Sequence, residues 1–199
     1  VVRSGLLDRV KKALTGFEVV EFSGIEPNPR VSSVNAAAKL AREQKADFIV
    51  AVGGGSVIDA SKAIAAAVKY EGDAWDLVKD GSLIKDALPL FSVLTLAATG
   101  SEYDAPGVIS NMQTNEKQAI SSPLLFPKAS FCDPSVSVSV PAWHTAAGAA
   151  DIMSHTFEQY LVSEGNDVSD GFCETILKTV IKNAPICIKD PTNLEARSA

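Results

Sequence analysis

Asp47-Phe48-Ile49-Val50-Ala51-Val52-Gly53-Gly54-Gly55-Ser56 decides the fold. Its first six residues form a short, nearly continuous apolar run, the pattern of a strand buried on both faces. Three glycines and a serine follow, and residues 57–70 read as a helix. Glycines at a strand-to-helix junction let the backbone approach a ligand closely and reach positive φ. The helix behind them offers unpaired N–H groups and a partial positive charge, which suit a phosphate. Ser56 is placed either to cap that helix or to bond a phosphate oxygen. The loop is neither G-x-G-x-x-G nor Walker A. A glycine-rich turn with no ligand stays open as the alternative.

Outward from this loop the chain alternates strands and helices. Toward the N-terminus, residues 31–45 read as a helix with Ser32 or Ser33 as cap. Residues 26–29 form a proline-rich turn, residues 17–22 alternate as a short strand, and residues 6–14 have helical spacing. Toward the C-terminus, residues 91–96 are a second buried strand. Residues 108–120 are a polar hairpin, and residues 129–132 a last short strand. Directly after the second strand comes Thr95-Leu96-Ala97-Ala98-Thr99-Gly100-Ser101-Glu102. Carboxyl ends of parallel strands are where an open α/β sheet binds ligands, and these hydroxyls suit phosphate or ribose. Past Pro141 only helices are expected, over residues 142–162 and 168–183, with no evident cap near the end of the chain. The expected architecture is an α/β, Rossmann-like parallel-sheet domain over residues 1–137, then an all-α domain over residues 138–199.

At 199 residues, 46% hydrophobic and 21% charged, the chain is able to bury a substantial core. A formal net charge of −6 without a basic run argues against nucleic acid or an anionic membrane as partner. Apolar stretches are interrupted before they reach membrane-spanning length, and no signal peptide is evident at Val1. Cys132, Cys173 and Cys187 show no C-x-x-C and are expected as reduced core thiols of a cytoplasmic protein. Trp75 and Trp143 are both expected in the core.

Asp151 and His155 lie four residues apart in a helical segment, so both side chains leave the same face one turn apart. A carboxylate and an imidazole so placed can grip one divalent cation. A surface pair is the alternative. The run of small residues from Ala146 to Ala150 suggests that the segment is buried, where ionisable groups need a partner. Glu158 is a candidate hydrogen-bond partner for His155. His144 is read as a helix-start residue.

Together these stretches resemble the iron-containing (group III) alcohol dehydrogenase family, and within it the NAD(P)H-dependent butanol dehydrogenases. The resemblance is carried by residues 26–30 (EPNPR), 51–65 (AVGGGSVIDASKAIA), 72–76 (GDAWD), 95–102 (TLAATGSE), 133–141 (DPSVSVSVP) and 145–160 (TAAGAADIMSHTFEQY). It implies that Gly53, Gly54, Gly55 and Ser56 cradle the pyrophosphate of NAD(P), and that Thr95, Thr99 and Ser101 line the cofactor site. Asn28 and Lys117 match family positions near the nucleotide. Asp151 and His155 match the first two ligands of Fe2+, with Zn2+ as the alternative metal. The implied reaction is hydride transfer between a primary alcohol or aldehyde, butanol-like, and NAD(P). There the metal acts as a Lewis acid on the substrate oxygen, and no catalytic residue is expected beyond the metal site. A homodimer is the implied assembly.

The family's remaining two ligands are histidines on later helices, and no histidine follows His155. The family's first strand and glycine turn, which bear on the choice of NAD or NADP, are likewise expected to be missing. The chain therefore reads as an internal or truncated piece holding most of a cofactor domain and half a metal site. Two alternatives stand beside the dehydrogenase reading: a glycerol dehydrogenase or dehydroquinate synthase-like relative, and a nucleotide-binding module without catalysis.

Overall fold

The computed structural model describes residues 1–199, which form two compact units: residues 1–94 with 100–132, and residues 95–99 with 133–199. In the first unit, β1 (Ile49–Gly53), β2 (Leu90–Leu94) and β5 (Ala129–Phe131) make a parallel sheet in the order β1-β2-β5. Successive side chains alternate faces: along β2, Leu90, Ser92 and Leu94 are buried while Phe91 and Val93 are half-buried. Leu90, Leu94 and Ala51 pack with Ile58 of helix α3 (Gly55–Ala67). The sheet therefore has the helix-bearing α/β form expected of it. β1 is half-buried rather than covered on both faces: Ala51 and Gly53 are buried, and Ile49, Val50 and Val52 are half-buried.

Helix α3 is the centre of the unit. Small and apolar residues surround it, and Ile58, Ala60 and Ala63 are wholly inaccessible. Helix α2 (Val31–Glu43) lays Val34, Ala37 and Ala38 into the same core. Helix α4 (Ala74–Lys79) adds Trp75, Leu77 and Val78, and the antiparallel hairpin of β3 (Gly107–Asn111) and β4 (Glu116–Ile120) adds Ile109 and Ile120. Each of the larger buried side chains, such as Val34, Ile58, Leu77 and Ile109, contributes about 2 kcal/mol of transfer free energy. Asp73 starts α4 by accepting the Trp75 N–H at 2.8 Å, a standard N-cap bond.

Two sequence expectations change here. Residues 17–22 form no strand, because no neighbouring strand supplies a ladder; Phe17 instead meets Phe48 edge-on, with ring centroids 5.5 Å apart. Neither Ser32 nor Ser33 caps α2: the N-cap is Arg30, and the Ser33 hydroxyl donates to Glu26 Oε2 at 2.9 Å. Helix α1 (Leu6–Ala13) forms as its spacing implies.

The second unit is helical: α5 (Ala142–Tyr160), α6 (Asp167–Lys189) and α7 (Leu194–Ser198). Asn166 caps α6, its Oδ1 accepting the Val168 and Ser169 N–H groups at 3.2 and 3.0 Å. α6 continues through Pro185 and so outruns the expected end at residue 183. The chain does end in a capped helix, since Asn193 Oδ1 accepts the Ala196 N–H at 3.0 Å. Trp143 is 77% exposed, so only Trp75 is a core tryptophan. Cys173 and Cys187 are buried free thiols, whereas Cys132 of the first unit is free and exposed. No helix is long and apolar enough to cross a membrane.

Candidate functional site

The glycine loop joins strand to helix as its sequence implies, but none of Gly53, Gly54 and Gly55 takes positive φ. β1 ends at Gly53, where a Cβ would lie 2.6 Å from Val57 Cγ2 and collide with the first turn of α3. Gly54 is the N-cap residue, in extended conformation and with no side chain to offer a cap. Its carbonyl accepts the Val57 and Ile58 N–H groups at 3.0 and 3.2 Å. The first amides of the helix, those of Gly55 and Ser56, have no carbonyl one turn back within the helix. Ser56 lies inside the helix, so the capping alternative for its hydroxyl falls away. A bare, side-chain-free helix start behind β1 fits an anionic phosphate.

Further along α3 lies a pair of charged residues that sequence reasoning passed over. Asp59 Oδ1 accepts the Ser101 hydroxyl at 2.6 Å, and Oδ2 accepts the Val108 N–H at 2.9 Å. Burial pushes the Asp59 carboxyl above the usual range; the bonds from Ser101 and Val108 and the charge of Lys62 oppose that shift. Lys62, wholly buried, donates to Asp104 Oδ1 at 2.6 Å and to the Pro106 carbonyl at 2.7 Å. A signal was there to read: an aspartate and a lysine three apart are the only charges in a helix otherwise of small and apolar residues and one serine pair.

Asn28 and Lys117, 89 positions apart in the chain, are brought together: Lys117 Nζ donates to Asn28 Oδ1 at 2.7 Å. Asn28 sits in the left-handed region at φ 55°, tolerated by asparagine. The turn is tied to the hairpin by the Ser110 N–H, which donates to the Pro29 carbonyl at 2.8 Å. Both side chains are exposed.

In the second unit, segment 95–99 holds a half-buried Thr95 and an exposed Thr99. It runs so close to α5 that a Cβ on Gly148 would lie 3.0 Å from the Ala97 carbonyl oxygen. The small-residue run thus permits a close approach at Gly148, the one buried residue among positions 146–150. One turn on, Asp151 Oδ1 and His155 Nε2 face each other at 3.8 Å. The two side chains are 43% and 50% exposed, which corrects the expectation that the pair is buried. Glu158, the candidate partner for His155, is exposed, as is His144 near the start of α5. No group of three or more histidine, cysteine, aspartate or glutamate side chains is placed to hold a metal ion. The donor types suit a divalent transition metal, to which the pair would supply two donors.

Comparison with known proteins shows the family. A family model described as iron-containing alcohol dehydrogenase matches residues 1–134, and one described as the C-terminal part of the Fe-containing alcohol dehydrogenase family matches residues 145–199. The chain is 52% identical over 200 residues to a probable NADH-dependent butanol dehydrogenase of Bacillus subtilis, covering 99% of this chain and 52% of that protein. A crystal structure of NADH-dependent butanol dehydrogenase A from Thermotoga maritima superposes with a TM-score of 0.95 at 41% identity, over 98% of this chain and 50% of that one. Sulfoacetaldehyde reductase from Bifidobacterium kashiwanohense, solved in complex with NAD+, gives 0.92 at 33% identity, over 98% of this chain and 52% of that one. The chain thus spans about half the length of the curated relatives it matches.

Proposed function

Given that the chain belongs to the iron-containing alcohol dehydrogenase family, we propose that it forms the nicotinamide-dinucleotide part of an NAD(P)-dependent alcohol and aldehyde oxidoreductase. The observation that carries this is the side-chain-free start of α3 directly behind β1. Gly53, Gly54, Gly55 and Ser56 bind the pyrophosphate through backbone N–H groups and the field of the helix. Asn28 and Lys117, already joined, present an amide and an ammonium for the nucleotide. Ser101 contributes at the same cofactor.

Asp151 and His155 hold a divalent cation, Fe2+ or Zn2+, together with donors beyond these two. When bound, the cation supplies Lewis-acid polarisation of the substrate oxygen. The carboxylate and the imidazole fix its place on α5 through their one-turn spacing. His155 would bind a metal through an unprotonated ring nitrogen. The relatives are named as butanol dehydrogenases, which supports a short primary alcohol or its aldehyde as the substrate class. Residues 1–137 then serve as the nucleotide domain and residues 138–199 as the metal-bearing one.

The test is aldehyde-dependent oxidation of NADH, with butanal set against dihydroxyacetone, in the presence and absence of added Fe2+ or Zn2+. Metal-dependent turnover of butanal, lost in His155→Ala, is expected. NADH binding without turnover under any metal would support the second reading, a nucleotide-binding module, which is favoured by the two-donor metal pair.

A further inference from the structure

A fully buried lysine needs a reason. Taking an ammonium out of water costs several kcal/mol unless strong bonds replace the lost hydration, and an apolar side chain would fill the same space without that cost. The Lys62 side chain is 0% exposed, and its ionic partner Asp104 is 45% exposed. Its two acceptors, Asp104 Oδ1 and the Pro106 carbonyl, both belong to the segment that follows β2 and leads into β3. Asp59, one turn earlier on α3, holds the same segment at Ser101 and Val108. Between these anchors the backbone runs against the helix: a Cβ on Gly107 would lie 3.2 Å from the Asp59 Cα and carbonyl oxygen. Segment 101–108 is thus held at four points by two residues of one helix.

Those two residues continue a stripe that begins at the phosphate loop. Positions 55, 59 and 62 follow the i, i+4, i+7 spacing that defines one helix face. Gly55, Asp59 and Lys62 therefore share the face that starts at the bare helix N-terminus. The segment laid along it carries Ser101 and lies one residue beyond Gly100, which takes positive φ at 75°. Loosening its far anchor would shift the near one, because the two are spaced only a few residues apart on a packed surface.

We propose that Lys62 is a positioning residue for the dinucleotide: its buried ammonium fixes segment 101–108 along the Gly55, Asp59 and Lys62 face of α3 and so sets the affinity of the site at the head of that helix. This rests on the reading of residues 53–56 as the cofactor's phosphate loop. Lys62 touches no ligand itself; it acts through Asp104, Pro106 and the Ser101–Asp59 bond.

The experiment is an NADH fluorescence titration of the chain and of Lys62→Met, Lys62→Arg and Asp104→Asn, each well below its own melting midpoint. Lys62→Met, similar in length but neutral, is expected to weaken NADH about tenfold or more, since a small misplacement of a positioned group costs up to about a hundredfold. Lys62→Arg keeps the cation and is expected to return the affinity to within about fivefold of the parent. Asp104→Asn keeps an acceptor oxygen for the ammonium but removes its counter-charge; it is expected to weaken NADH about threefold and to lower the melting midpoint, and it decides the matter if Lys62→Met does not fold. Unchanged affinity in Lys62→Met and Asp104→Asn, with only a lowered melting midpoint, overturns the proposal. Lys62→Arg as weak as Lys62→Met assigns the effect to packing rather than charge and overturns it too. No NADH binding by the parent chain overturns the cofactor reading and this proposal together, whereas normal parent binding with unaffected variants overturns this proposal alone.

Discussion

The two units of the chain keep very different proportions of their apolar side chains from water. In the first, Val34, Ile58, Leu77 and Ile109 are wholly inaccessible and belong to cores that α2, α3, α4, the sheet and the hairpin close among themselves. In the second, Trp143, Leu161, Phe172 and Ile181 are 77%, 75%, 67% and 61% exposed. Its helices are set by local bonds: Asn166 and Asn193 cap α6 and α7, and Thr156, Thr175 and Thr179 bond to carbonyls four residues back. The difference separates two sources of order. Buried area stabilises the first unit as a unit. Capping and helix propensity, each contributing about 1 kcal/mol or less, shape the second.

The sharpest way to break this contrast is core truncation. Leu77→Ala is expected to destabilise the chain by about 2–5 kcal/mol, whereas Phe172→Ala is expected to stay within about 0.5 kcal/mol. Urea unfolding of both measures it, and similar losses would mean that the second unit has a core of comparable worth. Glycine replacements sharpen the same point. Gly107→Ala forces a methyl to 3.2 Å from the Asp59 backbone and is expected to cost about 1–3 kcal/mol. Gly171→Ala, in α6 with nothing within 4 Å, is expected to gain about 0.5–1 kcal/mol from helix propensity. Thermal melts read both signs.

Function should divide along the same line. His155→Ala or Asp151→Ala is expected to weaken Zn2+ binding by about tenfold while leaving NADH affinity unchanged. Paired calorimetric titrations check this, and a fall in NADH affinity would merge the two sites. The smallest effect concerns pH. Burial first of all raises the Asp59 carboxyl. A carboxyl with a folded pKa above its unfolded value takes up its proton first in the folded state. Its contribution to stability therefore improves as pH falls from neutral through the raised folded value toward the unfolded one, and is lost as pH rises. The stability difference between the parent and Asp59→Asn should move in the parent's favour on acidification over that window. A flat difference would mean that Asp59 is solvated like a surface carboxylate.

Much of the first unit was legible in its sequence because its signals are local. The apolar run of β1, the glycines after it and the Asn111–Asn115 turn of the hairpin each fix their own backbone. Residues 17–22 were misread because strand pairing is a property of neighbours, and alternation alone supplies none. Lys62 was missed because its partners lie 42 and 44 positions away. In the second unit the spacing of Asp151 and His155 gave the right facing geometry but the wrong burial. Small residues permit close packing, and only Gly148 is used for it. α6 runs past its expected end at residue 183, through Pro185, to Lys189: a proline removes one helical bond, and the helix absorbs that loss.

The central claim is that the head of α3 binds the cofactor's phosphates. Amide hydrogen exchange of the chain with and without saturating NADH tests it most directly. The account predicts added protection at the amides of Gly55 and Ser56, and none in α6 at residues 167–189. Exchange at Gly55 and Ser56 that NADH leaves unaltered would contradict it.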